Sequence, residues 1–91
     1  MSTKEKVKKQ IDEMDDQISV WGAKFESVKA ETKARYKEKL AGMKSKRNEM
    51  KAKYDELADA KEDKWDEAKD VFSSASKSFK EGFNKLKSLF D

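Results

Sequence analysis

Apolar residues recur along the first third of the sequence in alternating steps of four and three. The series consists of Val7, Ile11, Met14, Ile18, Trp21, Phe25 and Val28. Steps of four and three keep these residues on one side of an α-helix, whereas a half-buried strand would need a period of two. The spacing therefore predicts a helix with a continuous apolar seam, as in a coiled coil.

The same seam continues after Val28, with two eleven-residue units, Phe25 to Tyr36 and Tyr54 to Trp65, that interrupt the seven-residue repeat. Such a unit locally unwinds a left-handed supercoil without ending the helix. The remaining predicted seam residues are Leu40, Met43, Met50, Tyr54, Leu57, Trp65, Phe72, Phe79, Phe83, Leu86 and Phe90. We predict a long helix over about 4–58 and a second helical arm over about 63–90.

The best candidate for a break between the two helices is the segment DAKED, residues 59–63. Asp63 can cap a new helix with Asp66 in the reciprocal position, and the second register shift falls at the same place. An uninterrupted helix, about 135 Å long at ~1.5 Å per residue, is the alternative that the pattern leaves open.

The predicted fold class is all-α, a long helix or helical hairpin that forms a coiled coil or helical bundle by oligomerisation. With 91 residues and 35% apolar side chains, the chain cannot bury a large core of its own. The second arm is about half as long as the first, so folding back would leave residues 7–28 uncovered. We therefore expect one elongated unit over residues 1–91 that associates as a homo-oligomer.

Charged residues form two adjacent blocks. Nine basic residues lie between Lys33 and Lys53 against Glu38 and Glu49, and eight acids follow between residues 55 and 70. Opposite blocks can set the register between helices, so we expect these two to pair. The acidic block would repel phosphate and no base-reading motif is present, which argues against a nucleic-acid partner.

The side chains of most catalytic centres are missing, because the sequence contains neither His nor Cys. This removes the commonest general base, the thiol nucleophile and most transition-metal ligands. We predict a non-enzymatic protein with no catalytic residues, cofactor, metal or small-molecule substrate.

The first residues do not resemble a signal peptide, and no apolar run is long enough to span a bilayer. A cytoplasmic location, with peripheral contact to the inner membrane as an extension, is the expectation.

Three segments carry a resemblance to a known family: KARYKEKL (33–40), KRNEMKAKYDELADA (46–60) and DKWDEAKDVF (63–72). The last contains an Asp-x-Trp-Glu/Asp-x-x-Lys pattern, and together the segments resemble a widespread family of small bacterial coiled-coil proteins, some of them described as stress-response proteins. The resemblance implies a helical, non-enzymatic cytoplasmic protein and brings no binding residues with it. The chain is also similar in general character to desiccation-protective hydrophilic proteins and to exchangeable apolipoproteins.

Large residues at seven-residue intervals dominate the C-terminal arm: Trp65, Phe72, Phe79 and Leu86, with Ala68, Ala75 and Gly82 between them. Large residues alternating with small ones suit a packing seam between helices. A serine-rich polar face, nearby lysines and the widening of the apolar face by Phe83 and Phe90 are also typical of helices that lie on a membrane. We predict a self-associating, stress-related structural or interaction protein. The alternatives are binding to an anionic membrane surface through residues 71–90, or a hydrophilic protective protein.

Overall fold

The computed structural model describes residues 2–90, with Phe90 represented by its backbone, and every regular element in this range is helical. The elements are α1 (Thr3–Ala23), a 3-10 turn (Lys24–Ser27), α2 (Ala30–Glu56), α3 (Glu62–Glu67) and α4 (Lys69–Phe90). The predicted all-α class is confirmed. The molecule measures 48 × 20 × 18 Å, because the chain folds back twice into a bundle of three helical layers.

The predicted helix over 4–58 is two helices in the structure, separated by residues 24–29. The first eleven-residue unit marks this place, but it ends the helix instead of unwinding it. Val28 and Lys29 adopt extended backbone angles, with ψ of 140° and 143°, and reverse the chain. Reversal is favoured because it buries the two halves of the seam against each other, whereas a straight helix would leave both in water.

A buried hydrogen bond fastens this reversal. The hydroxyl of Tyr36, on the first turns of α2, donates to the backbone carbonyl of Trp21 at the end of α1. The carbonyls of the last helical turn lack partners within the helix, so a side-chain donor there satisfies a group that burial would otherwise penalise. Tyr36 is 0% exposed, and burial raises the pKa of its hydroxyl above the ordinary value.

The predicted break is confirmed. Residues 57–61, between the end of α2 at Glu56 and the start of α3 at Glu62, are not helical and overlap the predicted segment 59–63. The predicted cap is wrong, because Lys61 is the N-cap of α3 and it makes no side-chain capping bond. Asp63 instead accepts a hydrogen bond from the backbone N–H of Lys64, at 3.0 Å. Asp66 accepts one from the hydroxyl of Thr3, at 2.9 Å, and so contributes to tertiary structure.

Contacts at both ends define the direction of the helices. Thr3 at the start of α1 reaches α3, and Trp21 near its end contacts Phe83 late in α4, so α1 and α4 run parallel with α2 antiparallel to both. The pair formed by α2 and α4 is the most extensive in the bundle, while α1 approaches α4 closely at few positions. An added Cβ at Gly82 would lie 3.5 Å from the Met43 Cγ, so α4 packs tightly against α2.

Substituting Tyr36→Phe should lower the free energy of unfolding at neutral pH by about 1–3 kcal/mol, because the Trp21 carbonyl loses its buried donor. The raised pKa also sets a pH dependence. The stabilisation of the fold by the buried Tyr36 hydroxyl is complete below about pH 10, where the tyrosine of the unfolded chain is neutral. It is lost as the pH rises through the pKa of Tyr36 in the folded protein. Urea denaturation of both proteins from neutral to alkaline pH measures the two effects.

The control is Tyr54→Phe, which changes the other tyrosine. Lysine deprotonation affects all three proteins equally, so the parent should lose more stability at alkaline pH than the Tyr36→Phe variant and about as much as the Tyr54→Phe variant. Equal alkaline losses in the parent and the Tyr36→Phe variant would contradict this account of the buried hydroxyl.

Candidate functional site

The aromatic ladder of the C-terminal arm lies in the interior of the bundle. Trp65, Phe72, Phe79 and Leu86 are each no more than 5% exposed. The Trp65 ring stacks on Phe72, with centroids 5.6 Å apart and planes at 12°, and it meets Tyr54 of α2 edge to face at 5.2 Å. In the closed molecule the ladder is therefore a packing seam, and the partners of its rings belong to the same chain.

The structure brings nearly the whole predicted seam together in one core. The buried members are Val7, Ile11, Met14, Ile18, Trp21, Val28, Leu40, Met43, Met50, Trp65, Phe72, Phe79 and Leu86. Phe25, Tyr54, Leu57 and Phe83 are partly buried against them. The Phe90 side chain lies outside the described residues. The sequence predicts self-association from an uncovered seam over residues 7–28, and this fold covers that seam without a second copy.

Three further residues are buried: Tyr36, Ala68 and Ser76. The sequence pattern places Tyr36 at the end of an eleven-residue unit of the seam and Ala68 between the large residues of the ladder. Ser76 was missed, although it lies seven residues before Phe83. A serine carries no apolar signal, so a search for apolar periodicity passes over Ser76 although its position is on the seam.

Two connected grooves separate α1 from α4. The N-terminal groove, of about 370 Å³, is lined by Thr3, Lys6, Val7, Gln10, Lys69, Phe72, Ser73, Ser76, Lys77 and Lys80. The C-terminal groove, of about 310 Å³, is lined by Gln10, Glu13, Met14, Gln17, Ser76, Phe79, Lys80 and Phe83. They exist because α4 turns small serines and flexible lysines toward α1, and these leave space where large side chains would interlock.

One of the described ion pairs joins the basic block to the acidic block, and it is the local pair of Lys53 with Glu56. The ion pair that joins separate helices links Arg47 of the basic block to Asp15 of α1. The other described pairs connect residues three or four apart, such as Lys53 with Glu56. Arg47 occupies a seam position but stays half-exposed at the edge of the core, where it reaches α1. Surface pairs of the local kind contribute at most about 1 kcal/mol each.

Lysines dominate the exposed face of α4. This helix carries Lys69, Lys77, Lys80, Lys85 and Lys87 against Asp70 and Glu81. Within residues 2–90 no cluster of three or more His, Cys, Asp or Glu side chains could hold a metal ion. In the same range, no helix has the length and apolar character required to cross a membrane.

Comparisons with protein-family models, with curated proteins and with solved structures find no match to this chain.

Replacing Phe79 with Ala should lower the free energy of unfolding by about 3–5 kcal/mol, because the ring is buried in the hydrophobic core of the bundle. The matched control is Val71→Ala on the same helix. Val71 is 55% exposed, so its loss should change stability by less than about 0.5 kcal/mol. Thermal and urea denaturation followed by circular dichroism measure both variants. Similar effects of the two substitutions would mean that the ladder is not a core.

The covered seam predicts that the protein is a monomer of 10.5 kDa in dilute buffer. The reason is that the large apolar residues exposed in the described part of the chain are only Val20 and Val71, which do not form a seam. Size-exclusion chromatography with light scattering over a dilution series measures the mass. A stable dimer or trimer would restore the self-association that the sequence predicts.

Proposed function

We propose that the protein is a non-enzymatic interaction protein that rests as a closed bundle and opens onto anionic lipid surfaces. The observation that carries the proposal is the uneven cover of the aromatic seam. α2 packs tightly along α4, whereas α1 is separated from α4 by the two grooves. Of the three long helices, α1 is the one that packs least extensively on the other two, and its departure would expose an amphipathic face.

Residues 24–29 form the hinge of the proposed opening. The 3-10 turn and the extended Val28 and Lys29 interrupt the regular backbone hydrogen bonds between α1 and α2, so rotation there breaks no helix. The far end of α1 is held by side-chain hydrogen bonds, from Thr3 to Asp66 and from the Lys4 ammonium to the Ala58 carbonyl at 2.8 Å. Such bonds contribute about 1 kcal/mol each, so the burial of apolar residues decides the equilibrium between the closed and the open bundle.

The apolar cost of opening explains why the bundle would stay closed in water. α1 buries Val7, Ile11, Met14, Ile18 and Trp21. At roughly 1.5–3 kcal/mol for each large side chain, exposing all five to water costs on the order of 10 kcal/mol. A bilayer interface accepts the same side chains, together with the rings of α4 that they cover, and so removes most of that cost.

The lysines of α4 would bring the closed bundle to the surface before it opens. Each lysine close to an anionic membrane contributes about 1 kcal/mol, an attraction that salt screens. Lys85 and Lys87 are exposed at the end of α4 that lies beside the hinge, since Trp21 contacts Phe83 there. This basic face and the covered seam together give α4 the character of a helix that lies in a membrane interface.

A reversible lock tests the opening. The chain has no cysteine, so Thr3→Cys and Asp66→Cys introduce a single pair where two side chains already lie within hydrogen-bond distance. Oxidised, the variant should fail to float with phosphatidylglycerol vesicles, because α1 cannot leave the bundle. Reduced, it should float as the parent does, and neither form should bind phosphatidylcholine vesicles. A thiol assay confirms that the disulfide has formed.

Charge reversal separates specific contact from general attraction. The double substitution Lys85→Glu with Lys87→Glu should abolish flotation. The control, Lys44→Glu with Lys51→Glu on exposed positions of α2, changes the net charge equally and should weaken flotation much less. Equal flotation of the oxidised and reduced lock would disprove the opening. A parent protein that does not float with anionic vesicles would disprove lipid binding altogether.

A further inference from the structure

The two grooves between α1 and α4 form one continuous channel, since both are lined by Gln10, Ser76 and Lys80. At about 1.5 Å per residue, the channel extends roughly 21 Å along α1, from Thr3 to Gln17. Each groove falls at the lower end of the roughly 300–1,000 Å³ range of ligand pockets. The channel is therefore elongated along α1, and an extended alkyl chain could lie in that direction.

The floor of the channel is apolar along its whole length. Val7 and Phe72 form it in the N-terminal groove, and Met14, Phe79 and Phe83 form it in the C-terminal groove. Val7, Phe72, Met14 and Phe79 are no more than 5% exposed, so an alkyl chain laid against them would gain mainly from the removal of its own apolar surface from water.

Positive charge is concentrated at one end of the channel. Lys6, Lys69 and Lys77 line the N-terminal groove, Lys80 lines its junction with the second groove, and no carboxylate is among the residues that line it. Within residues 2–90, none of these four lysines forms an ion pair. Glu13 lies on the C-terminal groove. An anionic group is therefore favoured at the N-terminal end only.

Ser76 lies at the junction of the two grooves. It is 8% exposed, and no described residue forms a hydrogen bond with its hydroxyl. The hydroxyl is accessible from the groove, since within residues 2–90 the fully buried side-chain polar atom without a hydrogen-bond partner is Trp65 Nε1 and not Ser76 Oγ. The Ser76 hydroxyl is thus a free donor at the boundary between the charged and the apolar halves of the channel.

From these features we infer that the closed bundle binds one single-chain anionic amphiphile, with its head among the lysines and hydroxyls of the N-terminal groove and its chain along the C-terminal groove. The apolar floor selects for the chain and the unpaired lysines select for the anion. A free phosphate would make no use of the apolar floor, and a cationic amphiphile would be repelled. The site exists in the closed molecule, so it does not require the opening proposed above.

Isothermal titration calorimetry with dodecanoate below its micellar concentration tests the site. We expect saturable binding of one molecule per chain, at least tenfold weaker with octanoate and undetectable with inorganic phosphate or dodecyltrimethylammonium at the same concentrations. Titration with a lysophosphatidic acid of equal chain length compares a phosphate headgroup with the carboxylate of dodecanoate. Binding of either anion supports the site, and the tighter one identifies whether a carboxylate or a phosphate is preferred.

Two kinds of variant locate the ligand. Lys69→Gln with Lys77→Gln should weaken dodecanoate binding at least tenfold, and Lys44→Gln with Lys51→Gln on α2 should leave it unchanged. Ser76→Leu fills the junction and should abolish binding while the melting temperature stays the same or rises. Ser73 lines the N-terminal groove from an exposed position, so Ser73→Leu fills this groove without changing the core. This variant should also abolish binding.

The reversible lock separates this site from membrane binding. Both forms of the T3C/D66C variant lack the Thr3 hydroxyl that lines the groove, so they are compared with each other and not with the parent protein. The oxidised form should bind dodecanoate as tightly as the reduced form, although it no longer floats with vesicles. Binding that disappears on oxidation would show that the ligand needs an open bundle and would overturn the inference. Equal binding of the cationic amphiphile, saturation by phosphate alone, or full binding by both leucine variants would overturn it as well.

Discussion

The hydrogen bond from the Tyr36 hydroxyl to the Trp21 carbonyl is the constraint on which the rest of the bundle depends. It joins the last turn of α1 to the first turns of α2, and it does so in the dry interior, where an unpaired carbonyl would be costly. Once the chain reverses here, the apolar seam of α1 must lie along α2. The seam of α4 can then close the bundle, because α2 presents a second apolar side to it.

This reversal also explains why a chain with few apolar residues can cover its own seam. A long helix followed by a short arm would leave residues 7–28 exposed, and that geometry is the whole basis for expecting a partner chain. Splitting the long helix at residues 24–29 gives two arms of 21 and 27 residues, comparable to the 22 residues of α4. Three arms of similar length can lie side by side, with α1 and α4 both packed on α2, so the seam is buried within a single molecule.

The positions of the seam residues could be predicted from the sequence, because four-three spacing places a side chain on a helix face regardless of what covers that face. The turn at residues 24–29 could not be predicted from the sequence, because no proline and no side-chain cap marks it. Lys29 precedes α2 without a side-chain capping hydrogen bond. An eleven-residue unit is compatible with both a continuous helix and a reversal, and the choice depends on long-range burial. Ser76 was missed for a different reason, since a polar residue at a core position contributes nothing to an apolar pattern.

The serine that weakens the contact between α1 and α4 links the proposed groove to the proposed opening. A ligand that binds only the closed bundle stabilises that state by mass action, by about 2.7 kcal/mol at a hundred times its dissociation constant. The same free energy must then be added to the cost of releasing α1, because the released helix takes one wall of the groove with it. Linkage requires the reverse as well, so a membrane that holds α1 open must lower the affinity of the groove. An amphiphile in the groove and a lipid surface would thus compete for the same apolar side chains of α1 and α4 in two arrangements of one bundle.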